Sequence, residues 1–256
     1  WINSSDVKDA IKITPIKQRI ENVRGVRLSS NRASTRDLAN TAYSFGEVRQ
    51  PESDYLLEPR VSSENRKYIP IGFIDSEIIA SDAVLIVPDA SIYHFAVLSS
   101  NVHMAWMRAV AGRLKSDYRY SASIVYNNFP WASLSDEEKN KLNLTGQSIL
   151  DARAMYSDWS FADLYNELTM PPELRKAHQE NDKAVMEAYG FDWRKMSESE
   201  CVAELMKLYK QMIEKNKKLK HLKTLSTLYL LPLAVLRRYP TGVQGATNAG
   251  TADRLH

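Results

Sequence analysis

The strongest constraint on the fold is a change of pattern at Trp131. Before it, short runs rich in Ile, Val, Leu, Tyr and Phe recur between residues 55 and 98: "YLLEP", "KYIPIGFI", "AVLIVP" and "SIYHFAVL", separated by Pro, Asp and Ser. Such runs between turn-forming residues are the signature of strands. After Trp131 they vanish, and the sequence becomes charged and helical in period. A chain patterned this way segregates its sheet from its helices, so the expectation is an α+β fold. A mixed α/β domain with a mainly antiparallel sheet would occupy 1–133, a helical region 134–220 and a tail 221–256. The tail's "YPTGVQGATNAGTADRLH" has the small, polar composition of a poorly ordered terminus.

Local signals fill in the elements. Residues 15–28 carry Ile16, Ile20, Val23 and Val26 at helical spacing after Pro15, predicting a surface helix with a basic outer face. Over 99–113, Ser100 or Asn101 serves as N-cap, Val102, Ala105, Trp106, Ala109 and Val110 form the apolar face, and Gly112 is the stop. That helix would deliver the chain to a polar loop, "LKSDYRY", after which "YSASIVY" alternates as a strand and "NNFP" turns out of it. In the second half Ser135 or Asp136 caps one helix. Pro171 and Pro172 open another that Gly190 closes, and Ser197 and Glu200 have the capping-box spacing of a third. At 256 residues the chain exceeds the usual domain size, suggesting two modules, each able to bury a core of its own.

Composition excludes more than it assigns. With 44% hydrophobic and 25% charged residues the chain is of globular type, and a net charge of +3 permits nucleic-acid binding without requiring it. Cys201 stands alone, so no intrachain disulfide forms, and the five histidines show no metal-ligand spacing. The apolar run "LYLLPLAVL" at 228–236 is broken by Pro232 and too short for a bilayer, and reads as a buried helix piece. These features favour a reducing, cytoplasmic setting with no membrane partner. The chain opens on Trp1, and the expectation is a portion of a longer cytosolic polypeptide.

No glycine-rich nucleotide loop and no Gly-x-Ser-x-Gly elbow is present. An amino-methyltransferase needs an Asn/Asp/Ser-Pro-Pro-aromatic tetrad to hold the base amine. "NNFP" has those residue types in the wrong order, and "MPPE" has the prolines without their flanks. The acids of "DEEK" at 136–139 fall in a first helical turn, where they complement the helix dipole rather than a metal. His94 and His103 lie on apolar patterns and read as structural.

Basic, polar segments recur in three places: "SSNRASTR" (29–36), "PRVSSENRKY" (59–68) and "GRLKSDYRY" (112–120). Each mixes Arg or Lys with Ser, Asn, Thr or Tyr, the side chains that contact phosphates and read base edges. The residues alone leave two readings open, a DNA-contacting surface and a non-catalytic protein-interaction module with solvated basic loops. The Lys-rich "KNKKLKHLK" (215–223) reads as a helix end.

Four long blocks carry more than their residue types: "RLSSNRASTRDLANTAYSFGEVRQPESDYLLEP", "VSSENRKYIPIGFI", "SSNVHMAWMRAVAGRLKSDYRYSASIVYNNFPW" and "ILDARAMYSDWSFADLYNELTMPPELRKAHQENDKAV". Over about residues 1–215 the chain resembles the back half of MmeI-type restriction-modification enzymes and their stand-alone methylase relatives. The resemblance implies a target-recognition domain and a helical C-terminal region that recognise double-stranded DNA, in a polypeptide whose methyltransferase domain uses S-adenosylmethionine to methylate adenine. The segment itself would hold no cofactor and have no catalytic residue. The resemblance points to Asn31, Arg32, Glu64, Arg66 and Lys67 as base readers, with Glu64 and Arg66 as a pair at one base pair. Arg36, Arg113, Lys115, Tyr118 and Arg119 are then suited to phosphates.

Overall fold

The computed structural model describes residues 1–230, and their side chains through Lys218. Most of the 221–256 tail, and of the apolar run at 228–236, lies outside the described residues. The chain begins with three helices: α1 (Val7–Ala10), α2 (Thr14–Leu28) and α3 (Ala33–Asp37). Pro15 sits in the first turn of α2, where its missing N–H costs no hydrogen bond. Of the apolar stripe on α2 only Ile20 is buried, while Val23 and Val26 remain exposed. Arg27 ties the end of α2 to the turns that follow, donating to the carbonyls of Leu38, Thr41 and Ser44 at 2.7, 3.0 and 2.8 Å.

Two small antiparallel sheets follow. The first has the order β3 (Gly72–Ile74), β1 (Tyr55–Pro59), β4 (Val84–Pro88), with Leu56 opposite both Phe73 and Val87. The second has the order β2 (Val61–Ser62), β6 (Asp117–Arg119), β5 (Gly112–Leu114). Arg60 is the crossing point: its N–H bonds Ala83 O at 3.1 Å on one side, and its carbonyl accepts from Tyr120 N at 2.8 Å on the other. One run of chain thus serves both sheets.

Three local expectations are corrected. "SIYHFAVL" is not a strand but helix α4 (Ile92–Leu98), entered through a capping box in which His94 Nδ1 accepts the Ser91 N–H at 3.1 Å. Phe95, Ala96, Val97 and Leu98 are all buried, and a full turn enclosed on every side is apolar all round, so its period carries no helix signal. "YSASIVY" is not a strand either: Ala122–Tyr126 forms a π-helical turn closed by Asn127 N to Ala122 O at 2.8 Å. Asn128, which reads as a turn residue ending a strand, instead caps this turn by donating to the carbonyls of Ser123 and Ile124. The polar loop at 112–120 is the β5–β6 hairpin, and Gly112 opens β5 rather than stopping a helix. Helix α5 (Asn101–Val110) ends earlier because Ala111 turns extended, and Ser100 is its cap, accepting from His103 N.

No strand follows Arg119 among the described residues. Helices α6 (Asp136–Ala154), α7 (Phe161–Leu164), α8 (Pro172–Ala188) and α9 (Glu198–Leu230) complete the fold. Ser135 with Glu138, and Ser197 with Glu200, form reciprocal capping boxes. Gly190 leaves α8 at φ 72°, a conformation open to glycine. Helix α6 packs on both α4 and α8. A single buried cluster runs from Leu56, Phe95, Trp106 and Phe129 into Leu142, Ile149, Leu174, Val185 and Leu205. The regions before and after residue 133 therefore share one core instead of burying two. No helix among the described residues is long and apolar enough to cross a membrane.

Candidate nucleic-acid interface

The β5–β6 hairpin and the loop after β2 are built against each other. Strand β2 pairs with β6, Val61 opposite Arg119 and Ser62 opposite Tyr118, which places residues 63–67 beside the hairpin. The hairpin turns through Lys115 and Ser116, with Lys115 at φ 57°. A non-glycine residue gives up about 1 kcal/mol to stand there. Arg113 closes the turn, donating to Ser116 O at 2.6 Å while its guanidinium lies 3.8 Å above the Tyr118 ring. Tyr118 is only 7% exposed, so its main offering to a ligand is the stance it gives Arg113.

Residues 63–67 form one wall of a cleft of about 870 Å³. Glu64, Arg66 and Lys67 line it together with Arg108 of α5 and Asn166 to Leu168 from the loop after α7. Glu64 pairs with Arg113 at 3.6 Å, and its N–H points to Asp117 Oδ1 at 3.4 Å. Among the described residues, Arg66, Lys67, Lys115 and Arg119 form no ion pair, so their charge is uncommitted. The structure thus brings Glu64, Arg66 and Lys67 together on the cleft wall and pairs Glu64 with Arg113, while Lys115 sits in the hairpin turn and Arg119, next to Tyr118 on β6 and opposite Val61, alternates to the other face of the sheet. Asn31, Arg32 and Arg36 stand apart, exposed at the α2–α3 junction, with Arg36 donating to Ser30 O at 2.9 Å. No hydrogen bond joins them to the cleft among the described residues.

His103 is buried, as its apolar pattern implies, but sequence reasoning missed three other buried ionisable groups, Glu58, Arg153 and Asp182. Burial pushes the Glu58 carboxyl well above the usual carboxylate range. His103, fully buried with Nε2 2.9 Å from Tyr120 Oη, is held by burial down to about 3. Arg153 is buried and has no carboxylate partner among the described residues, its guanidinium lying about 5 Å from the rings of Phe95, Phe161 and Tyr165. Burial likewise raises Asp182 to about 6, despite its bonds from Tyr68 and Asn101. The signal was legible on α8, where His178 and Asp182 share the helical face of Leu174 and Val185. No cluster of His, Cys, Asp or Glu able to hold a metal occurs among the described residues.

Fold and site define a class, an α+β unit with two small sheets, backed by helices, that presents a cation-flanked polar loop at an open cleft. The chain belongs to the MmeI family: residues 1–133 match its target recognition domain and residues 134–216 its C-terminal domain. It is 39% identical over 216 residues to DNA methyltransferase A of Bacillus subtilis (strain 168), covering 84% of this chain and 24% of that protein. It also matches the solved structure of the Type IIL restriction-modification enzyme MmeI in complex with DNA. There the TM-score is 0.78 at 42% identity, over 84% of this chain and 28% of the other. The chain spans about a quarter of the length of these relatives.

Proposed function

We propose that the chain is the sequence-specific double-stranded DNA recognition module of an adenine-specific, S-adenosylmethionine-dependent DNA methyltransferase of a restriction-modification system, acting in the cytoplasm. The observation that carries this is the cleft wall. Glu64, Arg66 and Lys67 line it from one loop, with Arg113 of the neighbouring hairpin paired to Glu64 and with Lys115 and Arg119 on that same hairpin. Arg can bond guanine bidentately and Glu can accept from the cytosine amine, so Glu64 and Arg66 suit the two halves of one G·C pair. Asn31, Arg32 and Lys67 are further base readers in this reading, and Arg36, Arg113, Lys115, Tyr118 and Arg119 hold or support phosphate contacts. The methyltransferase domain of the same polypeptide, with its cofactor, would flip the target adenine from a duplex held this way.

The test is duplex binding by the full-length protein as a function of salt. About five phosphate contacts predict a slope of log affinity against log salt near −4 to −5. Arg119→Ala should flatten that slope by about 1 for every sequence, whereas Arg66→Ala should forfeit roughly 1 to 3 kcal/mol of discrimination at one base pair. Absence of duplex binding even at low salt would overturn the proposal.

A further inference from the structure

The base-reading loop has little internal bonding, chiefly Arg66 N to Ser63 O at 3.1 Å and Asn65 N to Ser63 Oγ at 3.3 Å. Its start is held by the hairpin through Glu64, and its far end, where the chain runs on toward β3 of the first sheet, is held by partners that come mainly from the helical region. Arg108 Nη2 donates to Lys67 O at 3.0 Å, and Nη1 of the same guanidinium lies 3.1 Å from Glu198 Oε2 at the start of α9. Tyr68, the next residue, is buried. Its hydroxyl donates to Asp182 Oδ2 at 2.6 Å, and its ring stacks on His178 at 4.1 Å between centroids. The other oxygen of Asp182 accepts the Asn101 N–H at 2.7 Å, so one carboxylate ties the loop exit to the first turn of α5. Three residues further on, Arg153 donates to Ile71 O at 2.7 Å.

Hydrophobic packing alone would anchor this segment, but it is non-directional and tolerates small slides. Directional bonds to a buried carboxylate do not, because leaving either partner unpaired costs roughly 1 to 3 kcal/mol. A bidentate base contact demands placement of about that precision, within roughly half an ångström. We infer that Tyr68, Asp182 and the Arg108–Glu198 pair are specificity-positioning residues: the helical region sets where Glu64 and Arg66 stand, and so contributes to sequence choice without touching DNA. This rests on the recognition reading proposed above.

The experiment compares the full-length protein with its Tyr68→Phe and Glu198→Gln variants on three duplexes: the site the wild type prefers, that site with one base pair changed, and a random sequence. Tyr68→Phe keeps the ring stack and removes only the hydroxyl, and the Glu198 side chain is 56% exposed, so its amide variant leaves the fold intact. Discrimination between the first two duplexes should shrink by about tenfold for Tyr68→Phe, the order of one misplaced bidentate contact, and by less for Glu198→Gln. For Tyr68→Phe, which changes no charge, affinity for random duplex and its salt dependence should not change. Unchanged discrimination in both variants overturns the inference, as does an equal loss on all three duplexes, which would mark a merely structural role. If Tyr68→Phe does not fold, Glu198→Gln decides. A wild type without any preference among the duplexes marks failure of the recognition reading itself, and the inference falls with it.

Discussion

Glu64→Gln should move specific and non-specific binding in opposite directions. Glu64 is assigned to base reading, yet in the free protein it holds Arg113, a phosphate candidate, at 3.6 Å. Both side chains are nearly half exposed, so the pair contributes at most about 1 kcal/mol to folding, and the thermal midpoint should hardly move. Binding responds differently. Neutralising Glu64 removes a carboxylate that opposes phosphate and frees Arg113 for one further contact, steepening the salt slope by about 0.9. Between 50 and 200 mM salt that amounts to roughly a threefold larger loss of affinity than in the wild type, with random duplex bound more tightly at the low-salt end. The preferred site, by contrast, exchanges a charged carboxylate acceptor for a neutral amide oxygen that comes with a donor, weakening it by roughly 1 kcal/mol relative to random duplex. Fluorescence anisotropy titrations on both duplexes across that salt range measure each quantity. An unchanged salt slope would refute the idea that Glu64 restrains Arg113, and an unchanged ratio of affinities would refute its base-reading role.

Three further substitutions test the packing, two in the core and one on an exposed helix face. Asp182 has its pKa raised to about 6 by burial, so its stabilising share is complete below the unfolded value near 4 and is lost as pH rises through 6. His103, depressed to about 3, acts oppositely: its share is complete above about 6.5 and is lost as pH falls. Asp182→Asn should therefore steepen the acid loss of stability between pH 6 and 4 by up to about 1.4 kcal/mol per pH unit, read from urea midpoints; curves parallel to the wild type would contradict the assignment. Gly146→Ala places a methyl 2.8 Å from Ile92 Cγ2 and 3.1 Å from Ile92 O, a carbonyl that cannot swing aside. The gain in helix propensity of about 1 kcal/mol should be outweighed by about 1 to 3 kcal/mol of overpacking. Gly25→Ala on α2, with nothing within 4 Å, should instead stabilise, and equal effects at the two sites would show that the α4–α6 crossing is not close.

Features that depend on local chemistry were legible in the sequence. The caps at Ser100, Ser135 and Ser197, the proline entry to α2 and the glycine exit from α8 stand where residue type places them. Illegible were elements whose conformation is decided by enclosure. Residues 91–98 have strand-like composition, but the second turn of α4 is buried throughout and its first turn is the half-buried Ile92, Tyr93 and His94, so no exposed polar stripe declares its period. The hairpin at 112–119 was hidden because its turn uses Lys115 in a conformation that glycine or asparagine would advertise. For the site, the segment "SSENRK" was visible through its residue types and its resemblance to a family. Its supports at Arg108, Asp182 and Glu198 lie between 41 and 131 positions away along the chain and become neighbours only through packing.

The continuous core bears on how such modules could be exchanged between proteins. A graft joined at residue 133 would set the α4 of one parent against the α6 of another. Gly146 there admits Ile92 and Ala96 so closely that a single extra methyl would collide. The transplantable unit is accordingly the whole stretch through at least Leu205, and a chimera that respects it carries its reading loop along with the struts that aim it.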